Sequence, residues 1–415
     1  MCPTSLCSFT NNMTTITAVH AEEVLDSRNK PTLKVTVHCG DAHGSFSVPS
    51  GASTGSTEAT ELRDADGHMS VALQNVHEAI APALLGMDAA AQIAVDEALV
   101  ALDGTPQKSN LGGNTLIGVS IAVAKAAAEA KGVAVYEHLR SLATMNPSRA
   151  VPYLYMNYIN GGKHATSPLA FQEHIIVPDT ESVSEAMSIA ESVDDALRMQ
   201  LADRYGEEVT GTLGDEGGYV IPESGYDVPF EMLAAAIQES GAAGRVRLAT
   251  DVAASSFFQD DVYLIDGIER SGDELITTFA DLVARFELLS IEDPFEEHAE
   301  QDYARLQAAL HDTRIVGDDL TTTNAARIAH AAQSGAIKAV IIKPNQIGTL
   351  SETLAAMKMA RAHDIDCIVS HRSGETHDDF IADLAFAFGA FGLKAGSLRK
   401  PERRAKYERL ASITA

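Results

Sequence analysis

Apolar residues along the chain follow two different periods, and the change falls near residue 147. From Thr15 to Pro49 the pattern is strand-like: Thr32-Leu33-Lys34-Val35-Thr36-Val37 alternates with period two, and a Gly40-Asp41 turn follows. Helical periodicity then predicts stretches at about 70–85, 88–103 and 114–131. The last, Leu116 to Lys131, is rich in Ala, Val and Ile, as a buried helix is. Between strands and helices lies Pro49-Ser50-Gly51-Ala52-Ser53-Thr54-Gly55, small residues that neither element favours, which reads as a mobile lid loop. Strands followed by helices predict an N-terminal α+β domain over 14–147, bounded by Asn146-Pro147-Ser148.

From 148 to 415 apolar runs alternate with helical stretches, and run after run ends in a polar residue. The ends are Asp251, Glu292, Asp318, Lys343, His371-Arg372 and Lys394, at spacings near the length of one strand–helix repeat. The clearest run is Ala339-Val340-Ile341-Ile342, which reads as a strand buried on both faces and ends in Lys343. Pro344 cannot extend a ladder, Asn345 to Gly348 reads as a polar turn, and Thr349 and Glu352 form a capping box that opens the next helix. Such repeats predict an α/β fold with a (β/α)8-type, TIM-like barrel whose active site lies at the C-terminal rim. A doubly wound sheet would carry a glycine-rich nucleotide fingerprint, and neither G-x-G-x-x-G nor G-x-x-x-x-G-K-[ST] occurs.

Composition narrows the partners. The 415 residues carry a formal charge of −27, so no basic stripe is available for nucleic acid or an anionic membrane. No apolar run reaches membrane-spanning length. The cysteines, Cys2, Cys7, Cys39 and Cys367, form no disulfide or zinc pattern, which suits a reducing compartment. Residues 1–14 lack the basic start and apolar stretch of a signal peptide. We expect a disordered tail over 1–13 and a cytoplasmic location.

The strand ends carry the candidate chemistry. Asp251, Glu292 and Asp318, pointing into one barrel mouth, repel unless a cation joins them, and hard oxygen ligands suit Mg²⁺. Lys343, His371, Arg372 and Lys394 give the mouth a cationic side that suits a polyanionic small molecule, with Arg372 and Ser373 as a phosphate clamp. A lysine beside another lysine and Mg²⁺ is expected to have a lowered pKa, so Lys343 is the candidate base. Its target would be a C–H acid next to a carboxylate. Glu216, in the glycine-rich run Gly214-Asp215-Glu216-Gly217-Gly218, could pair with Glu173 of Gln172-Glu173 at the end of another apolar run. Two close carboxylates keep one proton and yield a general acid. His164, in Asn160-Gly161-Gly162-Lys163-His164, taken alone is more often a structural hydrogen-bonder than a catalytic group.

These segments resemble the enolase family. The likeness extends through Leu25-Asp26-Ser27-Arg28, Ser50 to Gly55, Asp251-Val252-Ala253-Ala254-Ser255, Ser290-Ile291-Glu292-Asp293-Pro294-Phe295, Gly317-Asp318-Asp319-Leu320, Lys343 to Gly348 and Ser370 to Thr376, in order from about residue 20 to 410. It implies a lyase that interconverts 2-phosphoglycerate and phosphoenolpyruvate, a step of glycolysis and gluconeogenesis. It also implies a role for each residue. Lys343 takes the C2 proton, and Glu216, supported by Glu173, protonates the leaving hydroxyl. Asp251, Glu292 and Asp318 hold a first Mg²⁺. Lys394 holds the substrate carboxylate, Arg372 and Ser373 the phosphate, and His164, Gln172 and His371 lie beside the substrate. Ser53 is similar to a ligand of a second Mg²⁺, which arrives with substrate as the lid closes. A homodimer or higher homo-oligomer is expected. Departures from the family pattern are Asn29-Lys30 for Gly-Asn, His174 for Phe, Lys34 for Glu and Ser412 for Arg. The last two usually pair across the dimer interface, so a dimer held by other contacts is expected here. An acid-sugar dehydratase and a surface-adhesion protein are the alternatives, and a cell-surface or secreted location without a signal stays open.

Overall fold

The computed structural model describes residues 13–51 and 55–415. Ser53 and the tail expected over 1–13 lie outside these, except Met13, an exposed turn residue. Strands β1 (Ala18–Leu25), β2 (Pro31–Cys39) and β3 (Ala42–Ser47) form an antiparallel meander. Its alternation is as predicted, with Leu33, Val35 and Val37 fully buried and Lys34 and Thr36 partly exposed. The apolar face packs on the helix Gly113–Lys131, in which fifteen of nineteen residues are buried. The two backbones meet at Gly44, where a Cβ would stand 2.2 Å from the Ala126 nitrogen, so no side chain fits. Asn29 has φ +57°, a left-handed conformation that Asn tolerates better than most side chains. Lys34 finds a partner in its own sheet: Nζ lies 2.8 Å from Glu22 Oε1, directly across the β1–β2 ladder. Ser412 Oγ donates to the Arg409 carbonyl within its own helix.

The helix expected over 70–85 is three pieces, Ser70–Gln74, a π-helical turn Asn75–Ile80, and Ala81–Leu84. Pro82 has no N–H to give the preceding turn, and the ladder widens just before it.

The rest of the chain builds β4 (Tyr153–Asn160), β5 (Glu173–Pro178), β6 (Val246–Asp251), a small sheet of β7 (Phe258–Gln259), β8 (Val262–Ile265) and β9 (Ile268–Arg270), then β10 (Ser290–Glu292), β11 (Arg314–Gly317), β12 (Ala339–Ile342), β13 (Asp366–Ser370) and β14 (Gly392–Lys394). Eight of these close into a barrel in the order β10-β11-β12-β13-β14-β4-β5-β6. One strand breaks the simple repeat. β5 runs antiparallel to both β4 and β6, while every other pairing in the barrel is parallel. Residues 161–172 hold only a 3₁₀ turn, Gly162–His164, with no crossover helix, so the chain turns straight back. This corrects the reading of Gln172-Glu173 as the end of an apolar run. Glu173 opens β5, and because β5 is reversed, its first residue shares a rim with the last residues of its neighbours.

Inward positions recur every second residue. Tyr155, Ile175, Val177, Ala249, Leu289, Val316, Ala339, Ile341, Ile368 and Phe391 fill the barrel with one apolar cluster. Val340 and Ile342 point the other way, into the core shared with the surrounding helices. No helix among the described residues is long and apolar enough to cross a membrane.

Two local expectations around Lys343 change. Pro344–Ile347 is a single helical turn, with Pro344 at its first position where no N–H is needed. The capping box is half present: Thr349 Oγ1 accepts from Glu352 N at 3.2 Å, but the Glu352 carboxylate binds the Thr349 hydroxyl at 2.7 Å and Lys108 Nζ at 2.6 Å. A buried lysine outbids the backbone N–H for that carboxylate.

Candidate active site at the barrel mouth

The in-facing register that is apolar inside the barrel turns ionisable at its rim. Following β12 inward gives Ala339, Ile341 and then Lys343; following β6 gives Ala249 and then Asp251. Gly51, His164, Gln172, Glu173, Glu216, Asp251, Asp318, Lys343, Ser370, His371, Arg372, Ser373 and Lys394 line one cavity. Glu292 stands beside it through Lys394. Thus every described residue given a catalytic, metal or substrate role from sequence is brought to one place.

Lys394 is the charge centre. Its Nζ lies 2.8 Å from Glu292 Oε2, 3.1 Å from Glu173 Oε1 and 3.2 Å from Asp251 Oδ2. Burial pulls its pKa down, but the three carboxylates outweigh this and hold it well above the ordinary lysine value. Lys343 Nζ is ion-paired with Asp318 Oδ2, whose other oxygen accepts from Gln346 Nε2 at 2.9 Å. The lowering expected for Lys343 is one that Mg²⁺ at the mouth would bring about. Burial acts in that direction, but the Asp318 carboxylate acts against it more strongly, and the net shift is upward.

His164, Glu173 and Glu216 form a second group, with ligand atoms all within 4.8 Å of one another. Glu173 is raised well above the usual carboxylate range, first by burial and then by the Glu216 charge. Burial is also the largest influence on Glu216 and acts upward, but His371, His164 and Lys394 outweigh it and keep its carboxyl low. The two carboxyls are thus pushed in opposite directions, Glu173 upward and Glu216 downward. Asn157 Nδ2 donates to Glu216 Oε2 at 3.0 Å, and His371 Nε2 faces Glu216 Oε1 at 3.1 Å. Burial lowers the His371 pKa to about 4, against the opposing pull of the Glu216 carboxylate.

The loop after β13 is held by both halves of the molecule. Ser50 and Gly374 exchange two backbone hydrogen bonds, and Arg28 Nη1 donates to Ser373 Oγ at 3.3 Å. Arg372 grips Glu58 through both terminal nitrogens, at 3.0 and 3.3 Å, and Asn345 Oδ1 at 2.9 Å.

Does this site fit a divalent cation? The sets of acid and histidine ligand atoms found within 4.8 Å among the described residues are His164–Glu173–Glu216, Asp293–Asp318–Asp319 and the surface run Glu296–Glu297–His298; Asp251, Glu292 and Asp318 do not make such a set. Asp293, however, is already committed. It accepts from Asp318 N, Asp319 N and the Tyr303 hydroxyl at 2.8 to 3.0 Å, and burial raises its carboxyl to about 7. By contrast Glu292 Oε1 and Gln172 Oε1 are buried without a hydrogen-bond partner, and the charge facing Asp251, Glu292 and Asp318 is supplied by lysine ammoniums. Buried, under-coordinated hard oxygens fit a cation such as Mg²⁺.

Sequence reading missed the supports. Asp293 ties β10 to the start of the segment after β11 through those two N–H groups, at φ +41°. Its signal was adjacency to Glu292. Glu58, Gln346 and Arg403 carry no local signal, because their partners lie 314, 28 and 32 positions away.

Comparison with known proteins gives two family matches. Residues 16–139 match the enolase N-terminal domain, and residues 148–415 match the enolase C-terminal TIM barrel domain. The chain is 45% identical over 413 residues to the enolase of Methanopyrus kandleri, covering 97% of this chain and 96% of that one. It is 42% identical over 407 residues to that of Methanococcoides burtonii (96% and 95%), and 40% identical over 405 residues to that of Sulfurisphaera tokodaii (97% and 96%).

Proposed function

The chain belongs to the enolase family, and we propose on that premise that the barrel mouth dehydrates 2-phosphoglycerate to phosphoenolpyruvate as follows. The activity is that of a hydro-lyase, phosphopyruvate hydratase, working in glycolysis. The observation that carries the reading is that Lys343 and the Glu173–Glu216 pair line one cavity at the mouth.

A base and an acid on opposite sides of a substrate can remove a C2 proton and protonate a C3 hydroxyl without exchanging roles. Lys343 is the base. In the free protein it is held as an ammonium by Asp318, so turnover requires Asp318 to be engaged elsewhere. The Glu173–Glu216 pair, carrying one proton between two carboxyls, is the acid. Lys394 meets the substrate carboxylate, and Arg372 with Ser373 meets the phosphate, Arg372 turning part of its fork from Glu58 to do so. His164, Gln172 and His371 close the walls.

Asp251, Glu292 and Asp318 are the residues that would hold Mg²⁺, which supplies Lewis-acid stabilisation of the negative charge left as the C2 proton departs. Three carboxylates against one divalent cation leave a net negative charge. A second Mg²⁺, with Ser53 as ligand, is therefore expected to bind well only together with the anionic substrate. Tight binding of two Mg²⁺ by the substrate-free protein in calorimetry would reject this order. We further take the protein to act in the cytoplasm as a homodimer. The Lys34–Glu22 pair within one sheet is consistent with a dimer that does not use Lys34 across its interface. Sedimentation showing only monomer at micromolar concentration would remove that part.

The test of the activity is direct. The ultraviolet absorbance of the product should grow with 2-phosphoglycerate and Mg²⁺, stop on adding EDTA and resume with excess Mg²⁺. Absence of an EDTA-sensitive signal defeats the reading.

A further inference from the structure

The C-terminal helix, Pro401–Thr414, buries Arg403 completely behind the mouth. Its Nη1 contacts His371 Nδ1 at 2.6 Å and donates to the Arg372 carbonyl at 2.6 Å. Nη2 donates to the Ser373 carbonyl at 2.8 Å and the Asp215 carbonyl at 3.1 Å. One guanidinium thus joins the loop that carries His371 to the loop that carries Glu216.

A guanidinium has donors and no acceptor. His371 Nδ1 must accept from it, and the ring hydrogen of the neutral imidazole must sit on Nε2, the atom 3.1 Å from Glu216 Oε1. A proton on Nδ1 would set two N–H groups against each other. Gly396 packs the ring from the side: a Cβ there would stand 3.2 Å from His371 Cε1 and 3.2 Å from Arg403 Cδ. The other charged groups acting on His371 are Glu216, Lys394 and Glu375, and Glu375 is itself ion-paired with Lys406 of the same helix at 2.7 Å.

We propose that Arg403 is a positioning residue that fixes His371 in the Nε2–H tautomer, so that a ring N–H faces Glu216 across the site. The consequence for turnover rests on the function proposed above; the tautomer does not.

The experiment is nitrogen NMR of the full chain carrying ¹⁵N-histidine, with the His371 signals assigned by their loss in His371→Asn. The wild type should show Nε2–H between pH 6 and 8. An Nδ1–H tautomer or an imidazolium there overturns the proposal. In Arg403→Gln the amide can offer Nδ1 either an acceptor or a donor, so the Nδ1–H form should appear. Its kcat for 2-phosphoglycerate should fall about 100-fold, as for a catalytic group displaced by an ångström, with a smaller change in KM. Arg403→Lys keeps a donor and should retain Nε2–H and recover part of kcat. A folded Arg403→Gln that stays wholly Nε2–H overturns the proposal whatever its activity. Should Arg403→Gln not fold, the wild-type and Arg403→Lys spectra still decide. The spectra need no turnover, so an inactive protein with the expected tautomer defeats the enolase reading and leaves this one standing.

Discussion

The interior of the barrel and its mouth are built from the same strands, two residues apart, and they obey opposite rules. Inside, Ala339, Ile341, Val316 and Ile368 fill space and leave no polar group to satisfy. At the mouth, Glu173, Glu292 and Lys394 are buried too, and Lys343 is buried in part, yet several atoms there lack hydrogen-bond partners, among them Gln172 Oε1, Glu173 Oε2 and Glu292 Oε1. An interior rewards completeness. A site that must take up a substrate leaves valences open and bears the instability of doing so. Because inward positions have period two, a shift of one residue in register would exchange the two regions.

The largest expected effect breaks the mouth alone. Lys343→Ala should lower kcat about a hundred- to ten-thousand-fold, the range for loss of a general base, while the thermal midpoint stays within a few degrees. Near-normal turnover would remove Lys343 as the base. The complementary change breaks the interior alone. Ile341→Ala should cost about 2–5 kcal/mol of stability in denaturant titration, because it empties a close-packed position, while kcat per folded molecule is nearly unchanged. If the two variants lost activity equally, the separation of roles along β12 would fail.

His174 sharpens the comparison, being a buried ionisable group away from the mouth. It stands edge-on to Phe230 at 5.1 Å, its Nδ1 lies 3.2 Å from the Ile159 carbonyl, and its Nε2 has no partner. Burial lowers its pKa from 6.5 to about 4. The unfolded chain then binds the proton more readily, so this group's stabilisation is complete above pH 6.5 and is lost as pH falls toward 4. The loss amounts to about 3 kcal/mol at most, from 1.36 kcal/mol per pH unit. His174→Phe should flatten the acid side of the stability–pH curve over that window, leaving kcat at pH 7.5 unchanged. An unaltered acid limb would assign it to other groups. The smallest effect belongs to the surface. Lys34→Ala removes an exposed pair and should change stability by under about 1 kcal/mol, with the change fading in high salt.

Much of the mouth was legible because strand periodicity fixes which residue comes last. Asp251, Glu292, Asp318, Lys343, His371 and Lys394 all follow from apolar runs that end. What escaped was whatever depends on direction or on distant pairing. Glu173 was placed at the wrong end of its strand because an isolated apolar run carries no sign of its direction. The Lys343–Asp318 ion pair escaped because the sequence names the neighbouring lysine but not the carboxylate that reaches it first. Glu352 looked like half of a local cap, while Lys108, 244 positions away, claims its carboxylate. Arg403 sits in a helix whose polarity suggests a solvated face, yet it is wholly buried.

The seam of the barrel has a consequence for synthesis. β14 pairs with β4, so Gly392–Lys394 must return to Tyr153–Tyr155 before the ring closes. A ribosome that has made the chain as far as β13 holds an open sheet with two unpaired edges. It also lacks Lys394 and the helix that carries Arg403. Closure and the assembly of the mouth therefore wait for the same final segment. A nascent chain stalled before residue 392 is predicted to be inactive and prone to pair with other chains along its open edges.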